Sequence, residues 1–191
     1  KKTSLRSDDT KGLKFILHSI KITFAPLCVA VIRDTSIQGI QFFMPIAIAI
    51  KGGTIGDVGK VLFIIMIARS ISPLIGGYIA DRTSKSSIIF LCMALGGALL
   101  IPAALLKGVI SILLFTLGAA LIEATTPITG AISQEWMPES RAMASSIVMG
   151  FAWGLGSLLI PPLGIIGDHL GITWALTVVG ILPILSLYFV T

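Results

Sequence analysis

Charged side chains are scarce in this sequence. Only 12% of its 191 residues are Asp, Glu, Lys or Arg and 55% are hydrophobic, and the mean hydropathy is +1.00. A water-soluble domain of this length needs more charges to cover its surface, so that class of protein is excluded. Cysteine and histidine are also rare, with two of each. Cys28 and Cys92 lie in apolar runs and neither histidine has a ligand-spaced companion, so we expect no disulfide, metal site or cofactor.

Long apolar runs follow one another along the chain. Runs of about 20 such residues can cross a bilayer, and helices satisfy their own backbone hydrogen bonds in lipid. The polar first 14 residues lack the apolar core of a signal peptide. We therefore predict an all-α, polytopic membrane helical bundle, with residues 1–20 as a cytoplasmic loop and 21–191 as a six-helix domain. The predicted spans are residues 22–46, 58–80, 88–106, 109–133, 143–166 and 172–190.

Lysines and arginines are unevenly divided between the two sides of this bundle. With the N-terminus inside, nine lie on the cytoplasmic side and three on the outer side. Because such an excess marks the cytoplasm, we expect a multi-pass protein of the cell membrane with both termini inside. The basic residues then serve topology and anionic lipid, and we expect no nucleic-acid partner. The cytoplasmic set is Lys1, Lys2, Arg6, Lys11, Lys14, Lys21, Arg82, Lys85 and Arg141, and the outer set is Lys51, Lys60 and Lys107.

Four charged residues interrupt the predicted spans near their middles: Arg33, Asp34, Arg69 and Glu123. A charge at that depth costs at least ~2.5 kcal/mol and is normally turned toward a partner or water. Gln38 and Gln41 share a helical stripe with Asp34, as expected of a wet cavity. We predict that Arg33 and Arg69 hold an anionic part of a substrate and that Gln38 and Gln41 also bind the substrate.

Glu123 or Asp34 is predicted to be a proton-coupling acid in the same cavity. The alternative is that the two arginines and the two acids form ion pairs that only clamp the helices together. Two positive and two negative charges balance, which suits that alternative well. Sequence alone leaves both interpretations open.

A faint internal repeat links the two halves of the chain. Gly77 and Asp81 end the second span, and Gly164 and Asp168 end the fifth, at an offset of 87 residues. Copies three helices apart are inverted with respect to each other, which is a transporter architecture. We therefore predict two inverted three-helix repeats.

Small residues and prolines also stand out in these spans. Gly150 and Gly154 are one turn apart and predict a smooth face for close helix contact in the fifth span. Pro127, one turn after Glu123, predicts a kink in the fourth.

The stretch GGYIADRTSKSS at 76–87 resembles the loop signature of the major facilitator superfamily. FFMPIAI at 42–48 is similar to the end of that family's seventh helix, and residues 137–157 are similar to its tenth-to-eleventh loop and eleventh helix. The resemblance covers nearly the whole chain but matches only the C-terminal six-helix half of a twelve-helix transporter. Within the family, the chain resembles drug-efflux members such as the fosmidomycin-resistance proteins. The resemblance makes residues 1–20 the remnant of a central cytoplasmic loop.

The resemblance implies a secondary transporter half that moves a small molecule by alternating access, with proton-coupled efflux as the expected mode. It implies that Gly77, Asp81, Arg82 and Lys85 form a gating loop that latches one state. Half a transporter lacks one wall of its cavity. The expected partners are therefore the bilayer, substrate, protons, and an N-terminal six-helix half or a second copy of the chain.

An intramembrane enzyme and a channel are the competing classes. The sequence has no G-x-S-x-G or H-E-x-x-H motif, and both histidines lie outside the predicted spans. No filter-like carbonyl loop indicates a channel. We therefore expect a transporter and not an enzyme, with an enzyme or a non-transporting membrane fragment as the alternative.

Overall fold

The computed structural model describes residues 15–190, which contain helices and no strand. The predicted all-α class is confirmed. The helices are α1 Phe15–Ile22, α2 Phe24–Ile50, α3 Ile55–Ala80, α4 Lys85–Leu105, α5 Gly108–Glu123, α6 Thr126–Trp136, α7 Arg141–Ser145, α8 Ala152–Leu158, α9 Ile160–Leu170 and α10 Ile172–Leu185.

Five helical stretches are candidate membrane spans, and a bent helix pair gives a sixth, in the predicted order. Five continuous stretches are long and apolar enough to cross a membrane: Ile55–Ala80, Lys85–Leu105, Gly108–Trp136, Pro138–Leu170 and Ile172–Phe189. The first span is α2, which passes the same test together with α1, although the two helices are bent by 79°. The fourth span is α5 with α6. The fifth runs from α7 through a π-helical segment, Ser146–Phe151, into α8 and α9.

Helix α1 begins within residues 1–20, the segment predicted as a loop, and ends two residues beyond it. Residues 1–14 lie outside the described part of the chain. Ile20 packs against an apolar cluster that contains Leu27 of α2 and Ile147 of the fifth span. The corner is held by Thr23, which is fully buried and donates its hydroxyl hydrogen to the Ser19 carbonyl at 2.9 Å. Packing against α2 and the fifth span thus gives α1 a buried side.

Local chemistry explains where the loops fall between spans. Thr54 and Asp57 form a reciprocal capping box at the start of α3, with hydrogen bonds of 3.0 and 3.2 Å. Gly171 separates α9 from α10 with φ of 96°, a conformation that other residues rarely adopt. Both features lie where the sequence predicted breaks.

Packing between spans follows a two-fold pattern. The first span packs against the fifth and sixth, and the fourth packs in the same way against the second and third. The third and sixth spans pack against each other. Exchanging the first three spans with the last three reproduces this set of neighbours, as expected for the predicted inverted repeats.

Glycines provide the closest crossings between spans. A Cβ on Gly97 of α4 would lie 2.8 Å from the carbonyl oxygen of Gly180 in α10. In contrast, a Cβ on Gly150 or Gly154 would meet nothing within 4 Å among residues 15–190. The predicted smooth face of the fifth span is therefore left uncovered by the described chain, and Gly156 makes the close contact with the first span instead.

Candidate functional site

Arg69 of the second span and Glu123 of the fourth form an ion pair inside the bundle. The Arg69 Nε and Nη2 atoms both donate to Glu123 Oε2, at 2.9 and 2.7 Å. Both side chains are largely buried, with 17% and 20% of their surface exposed. Thr126 donates a hydrogen bond of 3.2 Å to the other carboxylate oxygen. The pair joins two spans and still reaches the outside of the chain.

Glu123 is placed by a break in its own span. It is the last residue of α5, and α6 begins at Thr126 with Pro127 as its second residue. Proline has no N–H to continue the helical ladder, so the break expected from Pro127 lies directly after Glu123. A discontinuous helix of this kind is where transporters place substrate and ion sites.

Arg33 and Asp34 form the second ion pair, within the first span. Arg33 Nε donates to Asp34 Oδ1 at 2.8 Å, and only 3% of the Arg33 side chain is exposed. Arg33 Nη1 donates to Thr129 Oγ1 at 2.9 Å, which ties the first span to α6. Thr129 was not predicted, although its position six residues after Glu123 places it on the same stretch of the fourth span.

The two pairs meet on the fourth span, because Arg69 binds Glu123 at the end of α5 and Arg33 binds Thr129 of α6. The two acids also occupy comparable places in the repeats, at an offset of 89 residues. Gly156 of the fifth span packs against the backbone at Asp34, and Gly76 of the second packs against the residue that follows Glu123. The arrangement therefore brings all four predicted charges together as two neutral pairs.

The two predicted glutamines have different surroundings. Gln38 is 5% exposed; its amide donates to the Trp153 carbonyl at 3.1 Å and accepts from Ser157 Oγ at 2.6 Å. Both hydrogen bonds tie the first span to the fifth, so Gln38 contacts a substrate only if these bonds open. Gln41 lines a cavity of about 310 Å³ whose other lining residues are Met66, Arg69, Ser70, Pro73 and Glu123.

The predicted gating loop lies at the same end of the bundle as α1. Lys85 forms an ion pair with Glu135 at the end of α6, and Arg82 stacks over the Tyr78 ring at 4.3 Å. Both basic residues, which are expected to face anionic lipid, thus also have partners within the protein. Asp81 is exposed at the end of α3, and within residues 15–190 its carboxylate accepts no hydrogen bond.

Gly76, rather than Gly77, makes the close approach in this region. A Cβ on Gly76 would overlap the carbonyl oxygen of Ala124, whereas one on Gly77 would lie 3.8 Å from Pro127, an ordinary contact. The sequence shows both glycines, but helical phase decides which one faces the fourth span.

The fold and the charged cavity define a polytopic helical membrane protein with an ionisable site inside the bundle, which is the form of a secondary transporter. The sequence profile of the Major Facilitator Superfamily matches residues 27–191. The chain belongs to this family, as the loop signature predicted.

Two relatives are similar to this chain. One is named for fosmidomycin resistance, and the other is named as an MFS-type transporter. The chain is 31% identical over 131 residues to the fosmidomycin resistance protein of Escherichia coli K12, an alignment that covers 66% of this chain and 31% of that protein. It is 24% identical over 126 residues to the uncharacterized MFS-type transporter YfnC of Bacillus subtilis 168, with the same shares covered. The chain thus aligns with about a third of the length of each relative.

Proposed function

We propose that this chain is the C-terminal half of a secondary active transporter that exports a small organic compound with an anionic group, in exchange for protons, by alternating access. The Arg69–Glu123 ion pair carries the proposal. It links two spans of different repeats, lies at a helix break, and lines a cavity large enough for a small molecule. The name of the fosmidomycin resistance protein supports export as the direction of transport.

The ion pair supplies a coupling mechanism in which proton and substrate disfavour each other. While Glu123 is ionised, its hydrogen bonds from Arg69 hold the guanidinium at the cavity, where the remaining N–H groups bind the anionic group of a substrate. A proton on Glu123 removes the negative charge, weakens the hold on the guanidinium and so lowers its affinity for the substrate, which is released. Loss of the proton restores the ion pair and the substrate site, so that each cycle exchanges a substrate molecule for a proton. Arg33, Asp34, Gln38 and Gln41 are proposed to shape this cavity, with Asp34 as a second titrating group.

The end of the bundle that contains α1 is proposed to face the cytoplasm of the cell. Lys21, Arg82, Lys85 and Arg141 lie at that end, and the sequence adds five basic residues before α1. Lys51, Lys60 and Lys107 lie at the other end. The excess of positive residues favours this orientation. The loop of Gly77, Asp81, Arg82 and Lys85 then acts as the cytoplasmic latch, with the Lys85–Glu135 pair as one of its contacts.

A second six-helix half is proposed to complete the cavity. Of the five long continuous spans, the second and the fifth are the least covered by the rest of the chain. On the fifth, Trp153 is 61% exposed beside the uncovered Gly150 and Gly154. An N-terminal half or a second copy of this chain would cover that face. The mass of the native complex, measured in detergent, distinguishes the two partners.

The decisive experiment replaces Glu123 with Gln in proteoliposomes that contain the native transporter. The proteoliposomes are loaded with fosmidomycin as a probe, and its transport is driven by a pH gradient. We expect Glu123→Gln to abolish proton-driven transport while leaving exchange of substrate across the membrane without a gradient. The matched control is Glu139→Gln, which alters an exposed acid outside the cavity. Proton-driven transport that survives in Glu123→Gln would leave the ion pair as a clamp between helices.

A further inference from the structure

Three prolines stand in the same relation to the cavity beside Arg69 and Glu123. Pro45, Pro73 and Pro127 each follow a cavity-lining residue by four positions. A proline at that distance has no N–H for the carbonyl four residues earlier, so that carbonyl loses its helical partner. The carbonyls affected belong to Gln41, Arg69 and Glu123.

The chain supplies a substitute donor for one of these three carbonyls. Ser72 donates its hydroxyl hydrogen to the Arg69 carbonyl at 3.1 Å. Within residues 15–190, no side chain donates to the carbonyl of Gln41 or Glu123. Buried carbonyls normally have a donor. The carbonyls of two cavity-lining residues therefore have neither the usual helical N–H nor a side-chain donor.

The Arg69 guanidinium and the Gln41 amide supply the N–H donors of this cavity, and its other polar groups add acceptors. Ser70 donates its hydroxyl hydrogen to the Met66 carbonyl at 2.8 Å, which leaves only lone pairs for a ligand. Two N–H groups of Arg69, the cation of this cavity, are already bound by Glu123. A plain anion would use Arg69 and leave these acceptors without partners, and burying acceptors without partners is costly.

Charge balance indicates the same kind of ligand. Arg69 with Glu123 and Arg33 with Asp34 are each neutral pairs. A bound anion would add a net negative charge to a largely buried cluster, whereas a molecule with one group of each sign leaves the cluster neutral.

We propose that the cavity takes a small zwitterion, a molecule that presents an anionic group to Arg69 and an ammonium group to the freed carbonyls of Gln41 and Glu123. This inference rests on the proposed function, because it assigns the substrate class of the same site. It restricts the exported anions to those that also carry a hydrogen-bond donor.

The test uses two matched pairs of probes, aminomethylphosphonate with methylphosphonate and β-alanine with propionate. Within each pair, the first molecule carries an ammonium group that the second lacks. Equilibrium binding to the native, detergent-solubilised transporter is measured by isothermal titration calorimetry. We expect the ammonium-bearing member of at least one pair to bind about tenfold more tightly, the factor that corresponds to about 1.4 kcal/mol. If the two members bind within about twofold of each other in both pairs, or if no probe binds, the inference is overturned.

Proline variants locate the acceptors. Pro127→Ala and Pro45→Ala each restore an N–H that can bond to the freed carbonyl, and neither introduces a bulky group, so folding is not at risk. We expect each variant to reduce the preference for the ammonium-bearing probe several-fold, without weakening the matched anion. Pro102→Ala is the control, because the residue four positions before Pro102 does not line the cavity. An unchanged preference in both cavity variants would refute the role of the carbonyls.

The binding assay is made without a pH gradient, so its outcome is separate from the Glu123→Gln transport experiment. A lost ammonium preference overturns the zwitterion inference and leaves proton coupling standing. A retained preference with unimpaired proton-driven transport in Glu123→Gln supports the zwitterion site and refutes the coupling role.

Discussion

Adjacent glycines in α3 provide a sharp test of the packing beneath the charged cavity. A Cβ on Gly76 would lie 2.9 Å from the carbonyl carbon of Ala124 and closer still to its oxygen. A Cβ on Gly77 would have 3.8 Å to its nearest neighbour, a Pro127 carbon. Because backbone atoms at Ala124 cannot rotate away, Gly76→Ala must push the second and fourth spans apart.

The two substitutions share one background effect. Alanine favours a helix over glycine by roughly 1 kcal/mol at either position. Overpacking of a close contact costs typically about 1–3 kcal/mol, and only Gly76→Ala incurs that cost. We therefore expect Gly77→Ala to be neutral or stabilising, and Gly76→Ala to be about 1–3 kcal/mol less stable than Gly77→Ala.

Thermal or denaturant unfolding of the two variants in the same detergent measures this difference. The common helix propensity cancels when the variants are compared with each other, so the remainder reports the Gly76–Ala124 contact alone. Gly59→Ala serves as a control, because Gly59 lies in the same helix and has no neighbour within 4 Å of the added Cβ among residues 15–190. Equal stabilities of Gly76→Ala and Gly77→Ala would refute the close crossing at this point.

Three further outcomes are expected. Lys85→Gln and Glu135→Gln, combined in a double-mutant cycle, should show a coupling of about 0.2–1 kcal/mol that weakens with salt, since Glu135 is 58% exposed; a coupling that does not respond to salt contradicts this. Asp34→Asn leaves buried Arg33 without its anion and should lower the free energy of unfolding by about 3–5 kcal/mol, and adding Arg33→Met should recover part of the loss, as measured by unfolding. Gln38→Leu removes two hydrogen bonds to the fifth span and should destabilise the bundle by about 1–3 kcal/mol; unchanged hydrogen exchange in the fifth span would count against it.

The spans were predictable because long apolar runs leave a chain few choices in lipid. Their breaks at Lys107-Gly108 and after Asp168-His169 also followed from local composition. Helix α1 was missed, because its eight residues mix apolar and polar side chains and its Ile20 packs against a cluster formed by the first and fifth spans. Such a tertiary contact leaves no local pattern in the sequence.

The charged residues of the site were predictable, but their pairing was not. Burial cost alone singled out Arg33, Asp34, Arg69 and Glu123 as residues that need partners. Sequence left open which arginine meets which acid, because pairing depends on the rotation of each helix about its axis. The same rotation explains why Gln41 lines the cavity while Gln38 is bound to the fifth span.

The corner between α1 and α2 has a mechanical consequence. Since α1 leaves the first span at 79°, tension on the preceding fourteen residues acts sideways on that span as a torque rather than as a pull along its axis. Ile20 packs against a cluster that the first and fifth spans share, so the same torque reaches both spans. A tether attached ahead of Phe15 would therefore rotate the first and fifth spans rather than pull them along their axes.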